Sequence, residues 1–183
     1  MEKKISKIKE KLLLSLLAGI AISFSRSSIR QWKIIGSIPR EFKKIDENAL
    51  KQEIRNLYKT HLVSKKENAD GSLVFELTQK GKLKTLTFVF ENMKIERKDW
   101  DRKWRLVIFD IPEKLRKGRD ALRKKLRELG FYELQKSALV FPYECEDELE
   151  FIIEFFDLRP FVRVAILENI DNELHLKEYF KLI

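Results

Sequence analysis

Cysteine is almost absent. Cys145 is the only one in the chain, so no internal disulfide can form, and a reducing cytoplasm is the expected compartment. Histidine is nearly as scarce: His61 and His175 stand far apart, and with no cysteine pair beside them a structural zinc site has no ligand set. Six Gly and four Pro in 183 residues argue against long disordered or repetitive stretches. Long hydrophobic runs are also lacking. The most apolar stretch, Leu12 to Phe24, has 13 residues; as a helix it would span about 20 Å, short of the roughly 20 residues that cross a bilayer. It follows a basic start, as a secretory signal would, but has no clean A-x-A cleavage pattern. Ile5, Ile8, Leu12, Leu13, Leu16, Leu17 and Ile20 follow helical spacing, which predicts a buried first helix and no stable membrane association. A signal or membrane anchor is the competing reading.

What is present is charge and a core. The chain is 44% apolar and 37% charged, with net charge +9. Residues 1–96 hold 20 Lys+Arg against 11 Asp+Glu, a net +9, and residues 97–183 hold 18 of each. The first half is therefore the candidate polyanion binder. The second half is polarised within itself: 97–136 carries 14 basic and 7 acidic groups, 137–183 carries 4 and 11. Such a dipolar domain suits pairing between copies.

In the first half, Ser27 or Ser28 can cap a helix through Ile29, Trp32 and Ile35 that stops at Gly36. Asp46 or Asn48 opens a well-marked amphipathic helix, with Leu50, Ile54, Leu57 and Tyr58 on one face and Lys51, Gln52, Arg55, Asn56 and Lys59 on the other. Leu62–Lys66 and Ser72–Thr78 alternate like strands around an Asp-Gly turn. Thr78 then caps a helix bearing Leu83, Leu86, Phe90 and Met93, although the β-branched, aromatic TLTFVF also suits a strand. Three helices, a basic hairpin and a closing helix are the order of a winged helix-turn-helix, which predicts double-stranded DNA as partner. The expected contacts are Arg30, Lys33, Lys51, Gln52, Arg55, Asn56 and Lys59, with Lys65 and Lys66 from the hairpin. No cofactor is expected for that binding. The competing reading is that these residues form an ordinary solvated face.

Lys94–Lys103 breaks the apolar rhythm and predicts a boundary at 96/97. Beyond it, Trp104–Phe109 reads as a strand and Pro112 marks a helix start. That helix turns Leu115, Ala121, Leu122, Leu126 and Leu129 inward and ends at Gly130. Strand-like Phe131–Phe141 follows, bent around Lys136–Ser137. Cys145–Phe156 reads as an acidic helix, Phe161–Glu168 as a strand, and a short helix closes the chain. The expected fold class is α+β: an N-terminal winged helix-turn-helix (1–96) followed by a ferredoxin-like βαββαβ domain (97–183). Trp104, Phe109, Phe131 and Phe141 are too many aromatics for one face of a sheet, so a second copy is expected to cover the other, giving a homodimer.

The stretch Trp100–Glu113 carries the pattern W-x-x-x-W-R-x-V-x-F-D-I-P-E. Gly130, Phe131, Leu134, Gln135 and Ser137 continue it as G-F-x-x-L-Q-x-S. Over roughly 97–170 the chain resembles the central domain of the PaaX-like transcriptional repressors of phenylacetate catabolism. That domain is similar to the small ferredoxin-like subunit of the CRISPR spacer-acquisition complex, a family of metal-dependent endonucleases. Such repressors carry a further domain after the point corresponding to Ile183. The resemblance implies a cytoplasmic, homodimeric DNA-binding repressor. For Asp110 it implies a second possibility: two copies bring two such acids together to hold Mg²⁺ for phosphodiester cleavage, with Glu113 able to reach the metal from the helix start. The competing reading is that Asp110 ends a strand and supports the next helix N-terminus, accepting its free N–H groups. Gln135 and Ser137 read as strand-turn residues. Lys114, Lys117, Arg119 and Arg123 are candidate backbone contacts.

Overall fold

The computed structural model of the chain describes residues 6–18, 22–25, 33–34, 46–69 and 73–182, with the backbone alone for 22–25 and 33–34. It divides into two compact units, Met1–Val89 and Phe90–Ile183.

In the first unit, Ser6 opens α1 (Lys7–Leu17) by accepting the Lys9 N–H at 3.2 Å. The helix buries Leu12 and Leu13. The apolar run does not continue as helix, because Ile22–Ser25 is strand β1. The run is thus shared between two elements, and among the described residues no helix is long and apolar enough to cross a membrane. The expected second helix is also corrected. Lys33–Ile34 is strand β2, paired antiparallel with β1 through Phe24↔Ile34 and Ser25↔Lys33. Ile34 is β-branched and suits a strand, and pairing with β1 makes 33–34 strand rather than helix. Ser27, Ser28, Arg30 and the Asp70-Gly71 turn lie outside the described residues.

Asp46 caps α2 (Glu47–Lys59), its carboxylate accepting the Ala49 N–H at 2.8 Å. Strands β3 (Val63–Glu67) and β4 (Leu73–Leu77) pair from Val63↔Leu77 to Glu67↔Leu73. With β1 on the other side of β4, the sheet runs β2-β1-β4-β3. Leu12, Leu13, Leu50, Ile54, Leu57, Leu62, Val63, Leu73 and Phe75 make one buried cluster.

Thr78 links the hairpin to α3 (Gln79–Asn92). Its Oγ1 accepts the Gly81 N–H at 3.0 Å and donates to the His61 carbonyl at 2.8 Å. A Cβ at Gly81 would run into the Leu62 carbonyl oxygen, so only glycine lets the first turn of α3 lie this close. The buried hydroxyl of the β-branched Thr85 is satisfied within the helix by the Gly81 carbonyl at 2.8 Å.

The second unit begins earlier than the expected 96/97. Phe90 stacks on Phe155 with ring centroids 4.8 Å apart, and Met93 and Ile95 pack against the same core. Its elements are β5 (Trp104–Phe109), α4 (Arg116–Glu128), β6 (Tyr132–Gln135), β7 (Ala138–Phe141), α5 (Glu146–Phe155), β8 (Val162–Leu167) and α6 (Glu173–Phe180). In space the strands run β6-β7-β5-β8 with every neighbour antiparallel, the arrangement that a βαββαβ chain makes when both helices cross one face. Gly130, at φ +97°, ends α4 as expected.

The expected uncovered face is corrected by the register. Val107 and Phe109 point to the α4/α5 side and share a core with Phe131, Phe141, Leu122, Leu126 and Ile152. Phe131 and Phe141 stack at 4.7 Å. Trp104 alternates to the opposite face, where the chain's own α6 covers it. It is fully buried with Val140 and Leu176, and its Nε1 donates to Glu173 Oε1 at 3.3 Å. A short C-terminal helix therefore does the work assigned to a second copy. Ile108, Val164 and Ile166 remain exposed.

Candidate functional site

Two places collect the charged residues of interest, one in each unit. The first is α2 with its hairpin. Leu50, Ile54 and Leu57 anchor the helix, and the 3.6-residue period then turns Gln52, Arg55, Asn56 and Lys59 outward. Lys51 is half-buried, and Lys65 and Lys66 are exposed on β3. Among the described residues, Arg55, Lys59 and Lys66 have no acidic partner within 4 Å. Lys65 Nζ stands 5.5 Å from the centre of the Tyr58 ring. Seven of the expected DNA contacts, all except Arg30 and Lys33, thus fall on two adjacent described elements. Lys33 lies on β2 rather than on a helix; Arg30 is outside the described residues.

The second place is the end of β5. The Asp110 N–H donates to the Phe161 carbonyl at 3.0 Å, which fixes its backbone at the sheet edge. Its side chain is exposed and makes no hydrogen bond or ion pair with the described residues. The helix-supporting role is corrected. A 3₁₀ turn, Glu113–Leu115, precedes α4, and neither it nor α4 is capped by a side chain. Pro112 separates Asp110 from the first free N–H groups and carries none itself. Leu115, expected inward, is 36% exposed on that turn.

Asp110 instead lines a pocket of about 480 Å³ with Arg116, Arg119, Arg123, Lys136 and Asp120. The guanidinium groups there are engaged by acids and carbonyls. Arg119 binds Glu113 at 3.0 Å, and Arg116 reaches Glu113 at 3.6 Å and Asp120 at 3.5 Å. Arg123 donates to the Lys136 carbonyl at 2.7 Å. Ser137 accepts the Phe109 N–H with its carbonyl at 3.0 Å, a turn role.

These contacts decide how Mg²⁺ would fit. Asp120 in the pocket and Glu113 beside it already face arginines, which leaves Asp110 as the one unengaged carboxylate there among the described residues. No group of three His, Cys, Asp or Glu side chains among the described residues could hold a metal ion. The donor set of a single chain does not fit Mg²⁺, which prefers six oxygens in near-octahedral geometry.

The sequence reading missed two buried cations. Arg105 is 2% exposed. It grips Asp101 with both terminal nitrogens, at 2.6 and 2.8 Å, and reaches Glu146 at 3.2 Å and the Pro142 carbonyl at 3.2 Å. The Arg105 hydrogen bond holds the Asp101 carboxyl below its usual range. For Glu146 burial pushes upward, but backbone N–H bonds and Arg105 outweigh it and the net direction is down. Trp100 stacks near Trp104 at 5.1 Å and donates to the Lys103 carbonyl at 2.9 Å. The W-D-R-K-W-R opening is thus a structural clamp. Its readable signal was an Asp and an Arg four residues apart flanked by tryptophans. Lys125, 3% exposed, sits 4.8 Å from the Phe90 ring centre and donates to the Glu91 carbonyl at 3.5 Å; a lysine among arginines on a basic helix gave no signal for burial.

Compared with known proteins, the chain matches no curated protein. Residues 97–176 match the family model described as the PaaX protein central Cas2-like domain. That span runs from just ahead of the Arg105 clamp into α6, the helix that covers Trp104. The second unit of this chain is thus similar to the PaaX-type central Cas2-like domain over that span.

Proposed function

We propose that the chain is a DNA-binding transcriptional regulator of the repressor type. Its first unit acts as a winged helix-turn-helix on duplex DNA, and its Cas2-like unit pairs with a second copy to space two such units on a two-fold related site. One observation carries the reading: Arg55, Lys59 and Lys66 are exposed cations without acidic partners among the described residues, on a helix and hairpin that also present Gln52 and Asn56. Such a face offers donors for phosphates and amide groups for base edges. The order α1, β1, β2, α2, β3, β4, with β1 paired to β4 of the hairpin, supports the wing, although β2 stands where a second helix was expected. The family's repressors supply the regulatory role. The exposed Ile108, Val164 and Ile166 on and beside the outer strand β8 favour pairing of copies there.

The test is an electrophoretic shift with duplex DNA across a salt series. Binding should weaken steeply with salt, and Arg55→Ala should weaken it about tenfold. Unchanged affinity in that variant rejects the reading.

A second reading, a metal-dependent endonuclease, keeps one supporting observation: the exposed, unpartnered carboxylate of Asp110. A pair of copies would have to supply the second carboxylate. Mg²⁺- or Mn²⁺-dependent cleavage that disappears in Asp110→Asn would establish it, and absence of cleavage with either metal would remove it.

A further inference from the structure

We propose that α2 reads adenine, through the side-chain amides of Asn48, Gln52 and Asn56. The inference rests on the DNA-binding reading and adds the sequence class of the duplex: a half-site with at least two A·T pairs inside about five base pairs.

The polar side chains of α2 are sorted into rows. Residues four apart on a helix lie about 6 Å along the axis and about 40° around it, so each such series forms a ridge. Asn48, Gln52 and Asn56 make one ridge, and Lys51, Arg55 and Lys59 make the next. The helix buries Leu50, Ile54 and Leu57. The amide ridge stands opposite that stripe, so it is the part of α2 that would reach deepest into a groove. The cation ridge is displaced toward the hairpin, where Lys65 comes within 5.5 Å of the Tyr58 ring centre and lines a cleft with Lys51, Arg55 and Lys59. A face that only gripped phosphates would carry its charge on the outermost ridge. Asn48 is available because Asp46 takes the capping position, accepting the Ala49 N–H at 2.8 Å. All three amides are exposed, and their side chains bond none of the described residues.

An amide presents a donor beside an acceptor. Adenine shows the matching pair in the major groove, N7 accepting and N6 donating, whereas guanine shows two acceptors there. An uncharged ladder therefore favours adenine, and Arg or Lys in the same row would favour guanine. Base pairs stack about 3.4 Å apart, so three amides about 12 Å from end to end span about five base pairs. Arg55 and Lys59 then lie toward the phosphates, on the same side as the hairpin lysines.

The experiment selects duplexes from a random library with the full chain at about 150 mM salt and sequences the bound fraction. Selected sites should hold A·T pairs at two or more positions, each preferred about tenfold over G·C. Replacing the adenine at one such position by 7-deazaadenine deletes N7 and keeps Watson–Crick pairing; it should weaken the wild type about fivefold. Gln52→Ala and Asn56→Ala should each lose the preference at one position and become insensitive to 7-deazaadenine there. Both place a good helix former on an exposed face, so the fold is kept. Both keep every cation, so their salt dependence should match the wild type's.

A selected site fixed only by G·C pairs overturns the amide readout. So do adenine preferences, or a 7-deazaadenine penalty, that survive in both variants, because another group is then reading the base. Enriched adenines that tolerate 7-deazaadenine in the wild type are read through DNA shape, which also overturns it. Uniform binding to all duplexes with a steep salt slope overturns the readout and leaves the DNA-binding reading standing. No binding to any duplex removes both.

Discussion

Helix α2 exposes Arg55 and Lys59 with no acid of the described residues within 4 Å, whereas the cations of α4 are mostly paired. Arg116 and Arg119 meet Glu113 and Asp120, Arg123 reaches Asp120 at 4.0 Å, Lys124 reaches Glu128 at 3.9 Å and Arg127 binds Glu133. Only Lys117 on α4 has no such partner among the described residues. By composition α4 is the more basic helix. By available charge α2 is the better polyanion surface. A count of lysines and arginines locates a basic segment, but whether it attracts nucleic acid depends on how many of those charges the fold has already neutralised.

The contrast also separates charges that hold structure from charges that face solvent, and its largest test is Arg105→Ala. Asp101 and Glu146 would lose their shared cation beneath a packed core. Because both acids keep some solvent, 33% and 45% side-chain exposure, the loss should be about 2–3 kcal/mol rather than the full cost of breaking a buried pair. Urea unfolding read by tryptophan fluorescence would measure it, since Trp100 and Trp104 pack in this unit. A change under about 0.5 kcal/mol, the range of a surface substitution, would reject the clamp. On α2, Arg55→Ala should leave urea stability nearly unchanged and weaken DNA binding about tenfold, roughly 1.4 kcal/mol.

Acid sensitivity follows from the same clamp. Asp101 and Glu146 have folded values shifted down from 3.8 and 4.5. A carboxyl depressed on folding contributes stability above its unfolded value, and that contribution is lost as pH falls through the folded value. The second unit should therefore lose stability below about pH 4. Asp101→Asn should be less stable at neutral pH and show a shallower decline below it. A decline as steep as the wild type's would assign the acid transition elsewhere.

Much of the second unit was legible because its periods are sharp. The apolar Trp104–Phe109 run, the Gly130 stop and the Leu122/Leu126 stripe each pointed one way, and the fold agreed. The first unit was less legible where two periods fitted the same residues. Ile22–Phe24, the end of the apolar run, and Lys33–Ile34 suit helix or strand, and pairing between β1 and β2, a nonlocal contact, makes them strand. The candidate contacts on α2 followed from amphipathicity alone. What no single segment displays is compensation: Glu113 and Asp120 silencing α4, α6 covering Trp104, and Arg105 buried under Asp101 depend on residues brought together by the fold.

The smallest expected effect probes that compensation directly. Glu113→Gln would release Arg119 from its 3.0 Å partner and Arg116 from its 3.6 Å partner without adding a cation. These exposed ion pairs contribute little to stability, so unfolding should shift by less than about 0.5 kcal/mol. Nonspecific DNA affinity at low salt should nevertheless rise about twofold, since removing one acid leaves one more uncompensated positive charge for phosphate. Arg119→Ala in the wild-type background should change DNA affinity less than twofold, because that charge is already answered by Glu113. If Arg119→Ala instead matches Arg55→Ala in its loss, the α4 pairs do not neutralise the helix in solution, and the two basic helices are equivalent DNA surfaces.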